Sequence, residues 1–272
     1  MDNNSGKIIL SLSIPLSILI TLVSCISLLT PDFYVKETFN WRIQSVGQDM
    51  IDLFIVVPAL IITAMLAYRK KYIADLLWAG VMLYILYTFL IYSFGVHFNR
   101  LFLIYCLTLG LSFYSLAWFI YSQIKSPVKF GINKNAVVKV TGIFFLVLSF
   151  VFYFLWLSEI IPAVINNRVP KGVTETGLVT NPVQVIDLSV FLPGIFITGF
   201  WILKRRPAGF SFAIIILTFF VLMNVTIGWL ALMMKRKELE SSLSVTIVMA
   251  VLSLISFVFL VWNIKHIKIR TP

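Results

Sequence analysis

The sequence predicts an all-α, polytopic membrane protein with about eight transmembrane helices. Its 272 residues are 60% hydrophobic and 12% charged, and the mean hydropathy is +0.99. About a quarter of the residues in a soluble domain are charged, so this chain cannot build a surface that faces water on all sides. Apolar stretches of about 20 residues alternate with short basic clusters. That alternation is typical of a chain that crosses a bilayer repeatedly.

Eight apolar stretches are long enough to cross a membrane. A hydrocarbon core about 30 Å thick requires about 20 residues of α-helix. The strands of a membrane barrel alternate apolar and polar residues, whereas these stretches are apolar on every face, so we predict helices. The predicted spans are residues 8–29, 49–68, 73–96, 101–124, 140–162, 183–203, 208–234 and 243–264.

The basic residues predict the orientation, because cytoplasmic loops carry the excess of Lys and Arg. The side that holds both termini and the segments 69–72, 123–139 and 204–207 has 14 of the 22 basic residues, and the opposite side has 8. Both termini are therefore predicted to lie in the cytoplasm. The basic cluster at residues 235–237 lies on the opposite side and opposes this assignment.

The net charge of +11 bears on the choice of partners. The basic residues form short clusters beside apolar stretches, which favours contact with anionic lipid head groups at the cytoplasmic loops. The lipid bilayer is the predicted partner, and no nucleic acid is expected. Two histidines and two isolated cysteines give neither metal-ligand spacing nor a disulfide framework. We therefore expect no metal and no cofactor.

Part of the sequence recurs at an offset of 135 residues. Asp52 and Pro58 correspond to Asp187 and Pro193, and four further residues around them are also identical. The shared Asp is the more informative match, because acidic residues are rare in hydrocarbon. We predict two tandem four-helix repeats related by a pseudo-two-fold axis along the membrane normal. The predicted units are residues 1–124, a basic cytoplasmic linker at 125–139, and residues 140–272.

Cleavage within the first helix is an alternative. Residues 22–25 form a bacterial lipobox after a basic residue and an apolar run, and processing would make Cys25 a lipidated N-terminus. The apolar run continues to Leu29, and the first helix is needed to match the fifth. We therefore predict that the first helix is retained.

Asp52 and Asp187 are the strongest candidates for binding residues. An ionised carboxylate at the bilayer centre costs at least about 2.5–3.5 kcal/mol, so such a group usually faces the bundle interior, a partner or water. Alternatively, each carboxylate lies near the start of its helix, where the dipole and free N–H groups favour negative charge. Pro58 and Pro193 are predicted to kink their helices, either to shape a cavity or as plain packing.

Further polar residues lie toward the predicted outer ends of the helices. His97, Glu159 and Gln184 are candidate binding residues. His97 either faces Asp52 across the bundle or bonds to backbone or water at the interface. An outward-facing cavity between the repeats would explain this clustering, and so would a helix-end effect. Five tyrosines of the third and fourth predicted helices are candidates for hydrogen bonds inside the bundle: Tyr84, Tyr87, Tyr92, Tyr105 and Tyr114.

Two segments resemble recurrent segments of an uncharacterised group of bacterial multi-pass membrane proteins. They are residues 94–102, FGVHFNRLF, and residues 181–188, NPVQVIDL. The resemblance extends over about residues 48–201. It implies a location in the plasma membrane, as a bacterial inner-membrane protein, and adds interest to His97 and Asp187. It implies no activity, substrate or cofactor.

Three classes of function remain open. The first is a small-molecule or ion transporter, or a membrane-embedded binding protein, with an outward-facing polar cavity. The second is a non-catalytic scaffold, sensor or assembly subunit whose carboxylates serve packing. The third is a membrane-embedded enzyme acting on lipid, with His97, Asp52 and Asp187 as acid–base groups. The sequence has no nucleotide loop, zinc-protease helix or serine-nucleophile elbow, so the balance is against an enzyme and we assign no catalytic residue.

Overall fold

The computed structural model describes residues 5–125, 129–239 and 243–270. These residues form a bundle of helices with one short two-stranded sheet. Eight helices of the described segments are long and apolar enough to cross a membrane, so the chain is a multi-pass helical membrane protein. The helices are α1 Ser5–Leu29, α2 Phe39–Tyr68, α3 Tyr72–Gly95, α4 Phe102–Lys125, α5 Asn135–Ile165, α6 Lys171–Thr176, α7 Pro182–Leu203, α8 Pro207–Arg236 and α9 Leu243–His266.

Helix α2 begins about ten residues earlier than the sequence predicted. The hydroxyl of Thr38 accepts a hydrogen bond from the backbone N–H of Trp41 at 3.3 Å, which caps the first turn of the helix. The added turns, residues 39–48, are too polar to be recognised as part of a membrane span from hydropathy. They are held by packing instead, because Trp41, Ile43 and Ser45 are buried. Asp52 therefore lies more than three turns inside its helix rather than one turn from its start.

Helices α2 and α7 each contain one π turn, at Asp52–Val56 and Asp187–Phe191. In each turn the backbone N–H of the next residue bonds back to the aspartate carbonyl. Pro58 and Pro193 follow as the second residue after the turn. Proline has no N–H to donate and its ring clashes with the preceding turn. A π turn is one way in which a helix accommodates such a residue.

Helices α3 and α8 are the most buried of the spans and cross at the centre of the bundle. Gly80 permits the close approach, because a Cβ atom at this position would lie 2.6 Å from the carbonyl oxygen of Ile215. Helix α1 packs on α2, and helix α5 packs on α7. In the second pair the backbones of Gly142 and Gly199 face each other, which is a typical small-residue helix contact in membranes.

Strands β1 (Lys129–Ile132) and β2 (Ile267–Arg270) form an antiparallel pair. Part of the segment 125–139, predicted as a basic cytoplasmic linker, is thereby paired with the C-terminal segment. Arg205 also donates a hydrogen bond to the carbonyl of Ile132 at 3.2 Å. Local sequence gives little sign of such a pairing, because the two strands lie in different parts of the chain.

Candidate functional site

A cavity of about 500 Å³ lies between the first four spans and the last four. It begins at the long-loop end of the bundle, defined here as the end formed by residues 30–38, 96–101 and 166–181. From Glu175 and Asn181 it reaches Ile195 and Phe219 near the middle of α7 and α8. Its walls are mostly apolar and aromatic, with a limited number of polar groups. This size and composition are typical of sites for small molecules.

Asp187 lies in the cavity wall at the start of the π turn of α7. The hydroxyl of Tyr87, on α3, donates to one carboxylate oxygen at 3.0 Å. The indole N–H of Trp156, on α5, donates to the other oxygen at 2.9 Å. Both donors come from other helices, so the carboxylate does not cap its own helix. The two donors fix the orientation of the carboxylate beside the cavity.

A ladder of polar side chains follows one face of α2 at intervals of four residues: Asn40, Gln44, Gln48 and Asp52. The amide of Gln44 donates to the side-chain oxygen of Asn40 at 2.6 Å, and the amide of Gln48 donates to Asp52 at 2.9 Å. The three amides line the cavity, whereas Asp52 lies behind them and is buried. The second carboxylate oxygen of Asp52 has no hydrogen-bond partner among the described residues. The ladder therefore joins the cavity to a buried carboxylate.

The ladder continues across the bundle through Tyr84. The Gln48 amide also donates to the Tyr84 hydroxyl at 2.8 Å, and this hydroxyl shares a 2.7 Å hydrogen bond with Thr226 on α8. Tyr87 lies one turn further along α3. Its ring contacts the rings of Phe191 and Phe219 at centroid distances of 4.9 and 5.5 Å. Polar and aromatic groups of both halves thus meet in one region.

Comparisons with protein-family models, curated proteins and solved structures found no match. The eight apolar helices make the chain a multi-pass membrane protein.

His97 lies in the turn between α3 and α4, outside the cavity lining. Its ring nitrogen Nδ1 pairs with the carboxylate of Glu37 at 2.9 Å, and its backbone N–H donates to the same carboxylate at 2.7 Å. The sequence hypothesis that His97 faces Asp52 is therefore replaced by a pairing with Glu37. This pairing ties the α1–α2 loop to the α3–α4 turn.

Glu159 and Gln184 pair with each other instead of lining the cavity. The amide of Gln184 donates to Glu159 at 3.1 Å, and the backbone N–H of Gly172 donates to the other carboxylate oxygen at 3.0 Å. These bonds connect α5, α6 and α7 at the long-loop end. Of the five predicted binding residues, Asp187 is the one that the structure places in the cavity wall.

Asp49 is a polar centre that the sequence did not single out as a site. Three hydroxyls donate to its carboxylate, from Ser27 at 2.5 Å, Tyr92 at 2.6 Å and Tyr34 at 2.8 Å. Burial raises the pKa of Tyr34, in the α1–α2 loop, well above its usual range, and the nearby Asp49 carboxylate raises it further. The cluster joins α1, α2, α3 and the α1–α2 loop, and it is satisfied internally.

The sequence also missed the amide ladder, although a signal for it existed. Asn40, Gln44 and Gln48 recur at a spacing of four, which places them on one helical face. All three residues precede the predicted span, which began at residue 49. Because no helix was predicted there, their spacing was not interpreted as one helical face. Trp156 could not be distinguished from the aromatic residues that face lipid, because its role depends on a contact with another helix.

Proposed function

We propose that this protein is a membrane-embedded binding protein or transporter for a small molecule, and that the cavity is its binding site. The observation that supports this most directly is Asp187, a carboxylate held in a cavity wall by Tyr87 and Trp156. A charged group at membrane depth that faces a cavity is by default a functional hypothesis. The scaffold alternative would be favoured if each aspartate only capped its own helix, and Asp187 instead accepts its hydrogen bonds from two other helices.

The cavity lies between two units that we infer to be tandem repeats. The two π turns begin at positions 52 and 187, which differ by the same 135 residues as the sequence matches. Left-handed backbone recurs at the same interval, at Asp32 (φ 56°) and Asn167 (φ 48°), and at Lys70 (φ 60°) and Arg205 (φ 54°). These positions were not among the sequence identities, so they support the duplication independently.

The packing at the centre also supports a pseudo-two-fold axis. A residue on such an axis contacts its own counterpart, as at an isologous interface. Gly80 contacts Ile215, and Tyr84 contacts Phe219 with ring centroids 6.4 Å apart. Each of these pairs is separated by 135 residues. The cavity between the repeats would then open at the long-loop end, which is the outer face in the predicted orientation.

The test is access to the cavity from the outside of intact cells. Cys25 and Cys106 are free, so both are first replaced by Ser. Asn224→Cys then places a thiol in the cavity wall, and Leu254→Cys places one on the outer surface of α9, facing lipid. A membrane-impermeant thiol reagent is expected to label the first variant and not the second.

A blocking substitution gives this experiment a matched control. Ala231 lines the cavity on the long-loop side of Asn224, so Ala231→Trp is expected to reduce labelling of Asn224→Cys at least about tenfold. If Asn224→Cys reacts no faster than Leu254→Cys, the cavity is closed to water from outside and the proposed function is wrong. Equal labelling with and without Ala231→Trp would also contradict it.

A further inference from the structure

The cavity contains acidic groups but no basic ones. Asp187 and Glu175 line it, and none of the described lining residues is Lys, Arg or His. Glu175 is paired with the exposed Lys171 at 3.1 Å, so Asp187 is the acidic group that gives the cavity its charge. The whole chain has 22 basic and 11 acidic residues, so the absence of basic residues from the lining runs against the overall composition. A cavity with this lining repels anions and attracts cations.

The surroundings of Asp187 are unsuited to a metal ion. Its two hydrogen-bond partners are donors, the Tyr87 hydroxyl and the Trp156 indole N–H. Hard cations such as sodium or calcium require several oxygen ligands, whereas one of the two donors, Tyr87, is itself packed against the rings of Phe191 and Phe219. No cluster of three metal-ligating side chains occurs among the described residues. The local chemistry therefore favours a cation that brings its own apolar body.

Aromatic rings beside a carboxylate are suited to an organic ammonium group. The carboxylate provides a charge-assisted hydrogen bond, and the ring faces attract the positive charge. Tyr87, Phe191 and Phe219 contact one another with centroid distances between 4.5 and 5.5 Å. Most of the other lining residues are apolar or aromatic, and a volume of about 500 Å³ accommodates a molecule of about drug size.

We propose that the cavity binds amphipathic organic cations, with a protonated amine on the Asp187 carboxylate and the apolar body against the aromatic wall. This inference rests on the proposed function and specifies its ligand class. The amide ladder of Asn40, Gln44 and Gln48 provides neutral hydrogen-bonding groups for other polar parts of the ligand. Neutral compounds bind less tightly, and anions are excluded.

A matched series of three probes tests the proposal with the purified full-length chain in nanodiscs. The probes are 4-phenylbutylamine, 4-phenylbutanol and 4-phenylbutyrate, which share a body and differ in charge. Binding is measured by equilibrium dialysis at neutral pH, with empty nanodiscs as the reference for partition into lipid. The amine is expected to bind the wild type at least about tenfold more tightly than the alcohol, because one charge-assisted hydrogen bond contributes an affinity difference of about that size.

Two substitutions locate the amine. Asp187→Asn is expected to weaken amine binding at least about tenfold and to leave the binding of the alcohol unchanged. Asp75→Asn is the control, since Asp75 is a buried carboxylate of α3 outside the cavity lining, and it is expected to bind the amine as the wild type does. If Asp187→Asn folds poorly, the comparison of amine and alcohol binding to the wild type still tests the ligand class.

The outcomes separate the two proposals. If the alcohol binds the wild type as tightly as the amine, the ligand class is wrong while the cavity remains a binding site. If exchange of potassium for sodium chloride displaces the amine, Asp187 holds an inorganic cation and the ligand class is also wrong. If none of the three probes binds beyond empty nanodiscs, both the ligand class and the proposed binding function are overturned.

Discussion

Three hydroxyl groups converge on Asp49, and their arrangement explains how a carboxylate is tolerated at membrane depth. Ser27 lies on α1, Tyr34 in the α1–α2 loop and Tyr92 on α3. A buried carboxylate that accepts several hydrogen bonds is stabilised, whereas the same group without partners is costly. Asp49 therefore joins structural elements, whereas Asp187 borders the cavity.

The contrast between Asp49 and an exposed aspartate can be measured. Asp49→Asn replaces an acceptor oxygen by a donor opposite hydroxyl groups, so we expect a loss of about 1–3 kcal/mol in unfolding free energy. Asp32→Asn is the control, because the Asp32 side chain is 67% exposed in its pair with Arg42 and Asn tolerates left-handed backbone. Thermal unfolding in detergent is the measurement. Equal stability of the two variants would contradict a structural role for the cluster.

Among the elements, α3 and α8 determine how the two halves meet. Their backbones come close at Gly80, and hydrogen bonds from Tyr84 and ring contacts from Tyr87 extend the contact along α3. The π turns of α2 and α7 add a second feature at this scale. Each begins at an aspartate, so the local widening of the helix affects where that side chain points.

The crossing of α3 and α8 predicts a difference between two identical substitutions. Gly80→Ala would bring a methyl group to 2.6 Å from the Ile215 carbonyl oxygen, and overpacking of this kind costs about 1–3 kcal/mol. At Gly110, on α4, a Cβ atom meets no other atom within 4 Å, so Gly110→Ala is expected to be neutral or slightly stabilising. Thermal unfolding in detergent compares them, and a similar shift for both would show that the crossing tolerates extra volume.

At the scale of the whole molecule, the orientation remains a prediction from charge. The 14 basic residues on one side and 8 on the other favour cytoplasmic termini, and the cluster at residues 235–237 opposes this. If the prediction holds, the long-loop end and the cavity mouth face outward. The proposal that ligands enter the cavity from outside the cell depends on this orientation.

Protease protection of terminal tags tests the orientation. In intact cells, tags at both the N-terminus and the C-terminus are expected to be protected, and both are expected to be cleaved in inverted membrane vesicles. A tag on the 96–101 turn should show the opposite pattern. If the terminal tags are cleaved in intact cells, the predicted orientation is wrong and both termini lie outside. If the two tags lie on opposite sides of the membrane, the number of spans is not even.

The number of membrane-spanning helices among the described residues followed from the sequence because lipid imposes a simple rule. Each crossing needs about 20 apolar residues with every backbone group bonded internally. Length and hydropathy detect that pattern without knowledge of any contact. The rule says nothing about Phe39–Ile51, whose polar turns are held by capping and packing. Nor does it detect β1 and β2, whose pairing depends on segments far apart in the chain.

The sequence by itself determined that this chain crosses a membrane and that Asp52 and Asp187 are the carboxylates to consider. Only the tertiary structure decided that they differ. Asp187 receives its donors from Tyr87 and Trp156 on neighbouring helices and borders the cavity, whereas Asp52 lies behind Gln48. The physical reason is that hydropathy depends on composition along one helix. The environment of a side chain depends on which other helices surround it.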